Sequence, residues 1–349
     1  NLQSANDSPV KADAKKPEAH HKFVIIGGGT AGLTVASQLK KASGEDIAVV
    51  GPSNVHYYQP LWTLVGGGVY PKEKSGRKMS DYIPNNVTWV QDSVVGFSPE
   101  QNSIKLANGS EISYNYLVVA AGLQIDWNKI PGLQQGLKDE NSNVTSIYDY
   151  NYCEKTWKIM SNLNSGKVFF TQPSTPIKCG GAPQKIMWLT EANLRKRGVR
   201  SNVDIDFVLP QLAMFPVKKY ADALNEMRIK KKVNAQFGNE LVAIDVENRI
   251  ATFKDKDGGE KKEKYDALHC VPPMSSPDFL KKSPLANSAG FVDVNTETLQ
   301  HSKYKNIFAL GDCSSLPTSK TAAAICSQAP VLVHNLMQVS KGGQTNAKY

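Results

Sequence analysis

The chain has 349 residues and carries 41 Lys and Arg against 32 Asp and Glu, a formal charge of +9 at pH 7. That length predicts about two domains, and 40% hydrophobic with 21% charged residues excludes a wholly disordered chain. The longest apolar runs, residues 116–122 and Val203–Leu209, are far shorter than the roughly 20 residues of a membrane-spanning helix.

The start of the chain predicts a flexible tail over residues 1–21. Residues 1–22 are polar and rich in Lys and Ala, and they contain no apolar segment of the kind found in secretory signals. Because the first residue is Asn1, we interpret the tail as the remnant of processing or trimming.

A strand, glycine turn and helix follow the tail. Residues 22–26 predict a strand, Gly27-x-Gly29-x-x-Gly32 a tight turn, the residues after it a helix, and Ile47–Val50 a second strand. In such a unit the glycines let the backbone and the helix N-terminus approach a pyrophosphate. The pattern favours an adenine dinucleotide over a glycine turn without a ligand.

One expected feature of that unit is missing. An acidic residue about 20 positions after the glycines normally binds the ribose hydroxyls, but the second strand is followed by Gly51. Losing this charged partner removes about 1.5–3 kcal/mol of binding free energy, so we expect weakened cofactor affinity.

Further elements follow in chain order. Residues 89–95, Ser103–Leu106 and Glu111–Val119 predict strands of a mostly antiparallel insertion. A second α/β unit has predicted strands at 168–171 and Val203–Leu209 and a helix at 182–195. Strands at 235–238, 241–246 and 250–253 follow, with an exposed hairpin turn at 255–264. A late strand at 307–310 precedes a helix at 321–339 that we expect Pro330 to interrupt.

Two observations favour FAD over NAD. Gly311-Asp312 directly follows the late strand, where an Asp can face the ribityl chain of a flavin. The second α/β unit has no GxGxxG turn, which makes a nicotinamide donor improbable.

Cys179 is the candidate nucleophile among five scattered cysteines. It follows Lys178 and precedes a predicted helix N-terminus, an environment that favours a thiolate, although a structural cysteine is the alternative. We expect Cys153, Cys270 and Cys326 to be buried fillers and Cys313 to pack near the flavin. The spacing predicts no metal site and no disulfide framework, and hence a reducing compartment.

Two other side chains have two interpretations each. Lys320, at the start of the last helix, could stabilise negative charge on a reduced flavin or could be an ordinary surface lysine. His56 could line the isoalloxazine pocket, but a hydrogen-bonded loop histidine is the simpler interpretation.

Lysines recur in pairs and runs, which favours binding to an anionic membrane surface or an acidic partner. The alternative is that these lysines are solvated helix ends. These runs are 218–219, 230–232, 261–262 and 281–282.

Three segments carry a family resemblance: residues 57–66, residues 176–187 with their Lys-Cys-Gly-Gly-Ala-Pro-Gln block, and Gly311-Asp312-Cys313 with residues 320–324. They closely resemble the mitochondrial type of sulfide:quinone oxidoreductase, over roughly residues 22–349. The resemblance implies an α/β fold with tandem Rossmann-like FAD/NAD(P)-binding domains, parallel sheets and antiparallel insertions. Residues 22–131 and 290–349 would form a discontinuous FAD domain, and residues 132–289 a second domain with the redox cysteine.

The resemblance also implies an activity. Non-covalent FAD would oxidise hydrogen sulfide and reduce ubiquinone at the mitochondrial inner membrane, as a peripheral protein without nucleic-acid partners. Sulfur would leave as a persulfide on glutathione or sulfite. By position, Cys179 is one of two redox cysteines, and the implied FAD contacts are Gly27, Gly29, Thr30 and Gly32 at the pyrophosphate, Gln59 and Val94 along the cofactor, Asp312 at the ribityl chain, and Lys320, Thr321, Ala322 and Ala323 at the ring.

The sequence departs from the family at several points. Gly51 replaces the ribose-binding glutamate, Pro330 interrupts a regular helix, and the second redox cysteine and the quinone-lining, membrane-docking region would follow Tyr349. We therefore expect this chain to bind FAD and form a persulfide without turning over. The alternatives are a non-catalytic binding module and a type II NADH:quinone reductase or apoptosis-inducing-factor-like NADH oxidase.

Overall fold

A computed structural model describes residues 18–349, and the greater part of the predicted tail, residues 1–17, lies outside the described residues. The first strand begins at Ala19, so the last three residues assigned to a flexible tail instead pair in a sheet.

The described residues contain nineteen strands and eight α-helices. The strands are β1 (Ala19–Ile26), β2 (Ile47–Val50), β3 (Val55–Tyr57), β4 (Gly76–Lys78), β5 (Thr88–Val90), β6 (Val94–Ser98), β7 (Ser103–Leu106), β8 (Glu111–Val119), β9 (Gln124–Ile125), β10 (Val144–Thr145), β11 (Gly166–Thr171), β12 (Val203–Leu209), β13 (Val233–Phe237), β14 (Asn239–Asp245), β15 (Ile250–Asp255), β16 (Glu260–Lys264), β17 (Ala267–His269), β18 (Met274–Ser275) and β19 (Ile307–Ala309). The helices are α1 (Thr30–Ser43), α2 (Leu61–Gly66), α3 (Leu133–Lys138), α4 (Cys153–Asn162), α5 (Ala182–Lys196), α6 (Lys218–Lys230), α7 (Asp278–Lys281) and α8 (Ala322–Ser340).

The first sheet has seven strands in the order β5-β2-β1-β8-β7-β6, with β19 also on β8. Strand β8 joins the antiparallel part of this sheet to its parallel part. The first residues of β8 pair antiparallel with β7, and its last residues pair parallel with β1 and β19. The central strands β1 and β2 are continuous runs of buried aliphatic residues at their carboxyl ends, as expected of parallel strands covered on both faces.

The predicted strand at 89–95 is in fact two strands. The chain turns between β5 and β6 because the Asp92 carboxylate accepts hydrogen bonds from the backbone N–H groups of Ser93, at 2.7 Å, and Asn108, at 3.2 Å. Strand β5 pairs parallel with β2, so only β6, β7 and β8 form the predicted antiparallel part.

The second sheet is wholly parallel, in the order β10-β17-β11-β12-β13. This arrangement confirms the predicted α/β unit of β11, α5 and β12. A separate antiparallel sheet, β14-β15-β16, contains the hairpin predicted as an exposed turn. Together the sheets confirm tandem Rossmann-like units with parallel sheets and antiparallel insertions.

Helix α8 is continuous through Pro330, so the predicted interruption is wrong. Proline removes the backbone N–H that would bond the carbonyl of Cys326, yet both residues lie on the exposed face, where water can satisfy that carbonyl. The opposite face buries Leu332, Val333 and Leu336 in the first core, and this packing stabilises the helix across the proline.

Candidate functional site

The glycine turn between β1 and α1 is closed on one side and open on the other. Gly27 has a φ of +109°, and a Cβ there would lie 2.3 Å from the Ala120 carbonyl oxygen. A Cβ on Gly32 would lie 1.8 Å from the Gly27 carbonyl oxygen, whereas one on Gly29 would meet nothing within 4 Å. The turn therefore leaves the N-terminus of α1, where Thr30 is the first residue, open to an anion.

Gly51 and His56 both border this turn. A Cβ on the buried Gly51 would lie 3.0 Å from the Gly28 backbone nitrogen, so the end of β2 approaches the turn closely. The Nδ1–H of His56 donates to the Gly28 carbonyl oxygen over 3.3 Å. His56 is thus hydrogen-bonded, as the simpler interpretation expects, but it lies in strand β3 and not in a loop.

The Gly311-Asp312 pair reaches the same turn from the other end of the chain. A Cβ on Gly311, whose φ is +70°, would lie 3.3 Å from Ala31 of α1 and 3.7 Å from Ile325 of α8. The backbone N–H of Gly311 donates to the Gln328 side chain over 2.9 Å. Tertiary packing therefore brings the starts of α1 and α8 together around Gly311.

Asp312 lies between two lysines from different parts of the chain, Lys178 and Lys320. Burial raises the pKa of the Asp312 carboxyl, and both lysines oppose that shift. Burial lowers the pKa of each lysine, while the Asp312 carboxylate favours its charged form. We call Asp312, Lys178 and Lys320 the lysine–aspartate cluster.

Both lysines of the cluster are held in place. The Nζ of Lys320 donates to the Ser314 carbonyl oxygen over 3.1 Å and lies 4.5 Å from the ring centroid of Phe291. Lys320 is therefore half-buried and is not an ordinary surface lysine. The Nζ of Lys178 donates to Oε1 of Gln59 over 3.2 Å, which brings the predicted Gln59 to the same place.

Cys179 lies next to this cluster, in an unusual backbone conformation. Its φ of +57° is left-handed, a conformation that costs a non-glycine residue about 1–2 kcal/mol. Its N–H donates to the Lys320 carbonyl oxygen over 2.7 Å, and its carbonyl accepts from Ala182, the first residue of α5, over 2.9 Å. These bonds hold the half-buried thiol between the second α/β unit and the start of α8.

Two residues near the thiol have no counterpart in the sequence predictions. The Nζ of Lys185, one turn into α5, lies 3.8 Å from the Cys179 Sγ. The Tyr148 hydroxyl is buried without a hydrogen-bond partner among the described residues, and burial together with the nearby Cys179 raises its pKa well above 10. The six-residue spacing from Cys179 to Lys185 could have indicated the lysine, whereas Tyr148 is 31 positions away in sequence.

The other cysteines are placed differently. Burial raises the pKa of Cys153 and Cys270 to about 12, which confirms both as buried fillers. Cys313 is also fully buried, with a pKa of about 11. Cys326 is exposed on α8, so its prediction as a filler is wrong: its helix position points away from the face that packs on the core.

The remaining predicted contacts fall at the start of α8 and in the first core. Thr321 caps α8, its hydroxyl accepting from the Ala324 N–H over 3.0 Å, and Ala322 and Ala323 form the first turn with free N–H groups. Val94 is buried in the first hydrophobic core at the start of β6. Among residues 18–349 no three His, Cys, Asp or Glu side chains are gathered as a metal site would need.

The residues present fit FAD. The turn at Gly29 leaves space for a pyrophosphate at the N-terminus of α1, as the absence of any atom near a built Cβ shows. The Asp312 carboxylate, which makes no side-chain hydrogen bond within the described part of the chain, could accept from ribityl hydroxyls. Lys320 and the free N–H groups at the start of α8 would supply positive charge for the flavin ring.

Comparison with known proteins decides the family. The pyridine nucleotide-disulphide oxidoreductase family matches residues 21–161. The mitochondrial sulfide:quinone oxidoreductase of Dictyostelium discoideum is 48% identical over 99% of this chain and 77% of the relative, and that of Mus musculus is 44% identical over 95% and 74%. The chain belongs to the sulfide:quinone oxidoreductase family. These identities confirm the resemblance seen in the sequence. The members of this family are oxidoreductase flavoenzymes.

A solved structure shows the same fold. The chain superposes on the sulfide:quinone oxidoreductase from Aquifex aeolicus with a TM-score of 0.79, at 19% identity, over 93% of this chain and 77% of that one. Within the described part of the chain, no helix is both long and apolar enough to cross a bilayer.

Proposed function

We propose that this member of the sulfide:quinone oxidoreductase family oxidises hydrogen sulfide with non-covalently bound FAD and passes the electrons to ubiquinone. The observation that carries the proposal is the placement of Cys179, with Lys185 at 3.8 Å and a backbone bond to Lys320. A nucleophilic thiol is thereby fixed beside the residues that fit a flavin.

Cys179 is the residue that accepts sulfur. Joining the sulfur of HS⁻ to a cysteine sulfur forms one S–S bond, releases a proton and removes two electrons. Bound FAD would supply the acceptor for that electron pair and would pass it on to the quinone. The Lys185 ammonium attracts both the thiolate and the incoming anionic sulfide, because it carries a full positive charge within van der Waals range of Sγ.

The lysine–aspartate cluster has a supporting role. Lys320 and the free N–H groups at the start of α8 would stabilise negative charge on the flavin ring. Asp312 binds the ribityl side, and burial lowers the pKa of both lysines while the Asp312 carboxylate partly opposes that shift. In the glycine turn, Gly27, Gly29, Thr30 and Gly32 bind the pyrophosphate.

The cellular setting follows the relatives, whose names place them in mitochondria. We propose peripheral association with the mitochondrial inner membrane, where ubiquinone is dissolved in lipid. The persulfide on Cys179 passes its outer sulfur to glutathione or sulfite, a transfer between sulfur atoms that needs no further oxidant. That steady quinone turnover needs a second redox cysteine stays a prediction, checked by steady-state quinone reduction.

The anaerobic visible absorption spectrum, recorded before and after addition of sulfide, tests the proposal. We expect a flavin band that changes with sulfide and not with NADH, and mass spectrometry should find one added sulfur atom on Cys179. A Cys179→Ala variant should bind flavin equally well and form no persulfide. Bleaching by NADH instead of sulfide would favour the NADH:quinone reductase alternative.

A non-catalytic binding module is the second candidate, and Gly51 favours it. Without a carboxylate at this position the ribose loses a charged hydrogen-bond partner. Absence of a flavin band after incubation with excess FAD, in a protein that circular dichroism shows to be folded, would make this candidate the better one.

A further inference from the structure

The segment after β12 exposes apolar side chains next to lysines. Leu212 is 81% exposed, Val217 49% and Tyr220 57%. Lys218 and Lys219, which lie between the last two, are exposed as well. We call Leu212, Val217, Lys218, Lys219 and Tyr220 the apolar–basic patch. Three exposed apolar side chains within nine residues of sequence make this segment a candidate interaction surface.

Buried contacts fix the segment that carries the patch. Met214 is buried, and its carbonyl oxygen accepts a hydrogen bond from the side chain of the buried Gln184 in the first turn of α5. The rings of Phe215 and Tyr220 pack edge to face, with centroids 6.1 Å apart. The exposed side chains are therefore presented outward by an ordered segment.

The patch lies on the same edge of the second sheet as the reactive cysteine. Strands β11 and β12 are parallel neighbours, so their carboxyl ends meet at one edge. The Cys179 loop follows β11 and the patch follows β12. Gln184 ties the two together, since it lies five residues after Cys179 and contacts Met214.

The patch itself is positively charged, since it contains two lysines, Lys218 and Lys219, and no acidic side chain. Lys218 pairs with Asp222 at 2.7 Å in a highly exposed contact. Apolar side chains flanked by lysines match a lipid surface that offers acyl chains for the former and anionic headgroups for the latter.

We propose that the apolar–basic patch is a docking site for an anionic lipid surface. This inference deepens the membrane association proposed above and rests on it. Docking here turns the edge that carries Cys179 towards the lipid.

Sedimentation of the full chain with vesicles tests the inference, using phosphatidylcholine alone and phosphatidylcholine with phosphatidylglycerol. We expect binding to the anionic vesicles that weakens as salt is raised. The double variant Lys218→Gln/Lys219→Gln should lower partitioning by about fivefold per lysine, or roughly 30-fold in all. Leu212→Ser/Val217→Ser should also lower it, because fewer apolar groups enter the interface. The control Lys256→Gln/Lys262→Gln removes the same charge from the exposed β15–β16 hairpin and should leave binding unchanged.

Three outcomes would overturn the inference. Wild-type binding by both patch variants would show that another surface docks. Equal losses in the patch and hairpin variants would show that only net charge matters. A patch variant that dissociates an oligomer while lipid binding stays unchanged would assign the patch to a second copy.

A parallel assay keeps the two proposals separate. The change of the flavin absorption band on addition of sulfide, which needs no quinone turnover, should be the same in the patch variants and the wild type. Failure of the wild type in this assay would contradict the proposed function and leave the lipid-binding result standing. Failure of the wild type to bind any vesicle would contradict the membrane association and the patch together.

Discussion

Lys185 is the residue whose charge we expect to matter most for the thiol. Its Nζ lies 3.8 Å from Sγ, close enough to attract an anionic reagent or sulfide towards the sulfur. In a Cys326→Ser background, which removes the exposed competing thiol, Lys185→Met should slow iodoacetate alkylation of Cys179 at neutral pH by roughly fivefold. Lys185→Arg should retain most of the rate. Equal rates in all three proteins would contradict the assigned role.

Gly51 is the residue that we expect to limit FAD affinity. A side chain here must displace the glycine turn by a few tenths of an ångström, because a Cβ would lie 3.0 Å from the Gly28 nitrogen. Gly51→Ala isolates that steric cost. Gly51→Glu adds a carboxylate for the ribose and should bind FAD about tenfold or more tightly than Gly51→Ala, as measured by flavin fluorescence quenching. Identical affinities would show that the ribose does not lie at the end of β2.

Strand β16 is tied to the parallel sheet by an ion pair. The sequence of residues 255–264 predicts an exposed hairpin turn without function, yet Glu263 on β16 lies 2.6 Å from the Nζ of Lys167 on β11. Lys167 also lies 3.4 Å from Asp206 on β12. The antiparallel sheet is therefore tied to the parallel one by a charge cluster that sequence spacing does not reveal.

The same cluster gives a prediction for β16. Hydrogen bonds and charge from Lys167 outweigh burial and lower the pKa of Glu263 to about 2. A lowered acid pKa stabilises the fold above the unfolded value near 4.5, and this contribution is lost as pH falls through about 2. Glu263→Gln should reduce the free energy of unfolding at pH 7 by ~2 kcal/mol in urea titrations. Lys261→Gln, which removes the more exposed partner of the same carboxylate, should cost less than about 1 kcal/mol.

The chain passes twice between the two hydrophobic cores, once from the first core to the second and once back. Leu123 marks the start of the second core on the way out, and Leu280 belongs to the first core on the return. Strands β9 and β18, in the two crossing segments, pair antiparallel. We propose that residues 22–131 and 290–349 form the FAD domain around a middle domain, with the return to the first core beginning near α7.

Acid stability is a property of the whole fold that depends on a buried histidine. Complete burial lowers the pKa of His269 to about 3, while its Nε2 accepts from the Ile147 N–H over 3.1 Å. The unfolded chain binds a proton near pH 6.5, so stability is full above that pH and falls as pH drops towards 3, by ~4 kcal/mol. His269→Gln should be less stable at pH 7 but lose less stability between pH 6.5 and 5. A parallel decline in both proteins would contradict this account.

Local sequence determined the glycine turn, the strand and helix after it, and the block around Cys179, because these features depend on residues close together in the chain. The family follows from the same blocks. Only the tertiary structure decided that Cys179 is left-handed and bonded to Lys320, since 141 positions separate them. It also decided that α8 continues through Pro330 and that Cys326 is exposed, because core packing outweighs one missing hydrogen bond and chooses which helix face is buried.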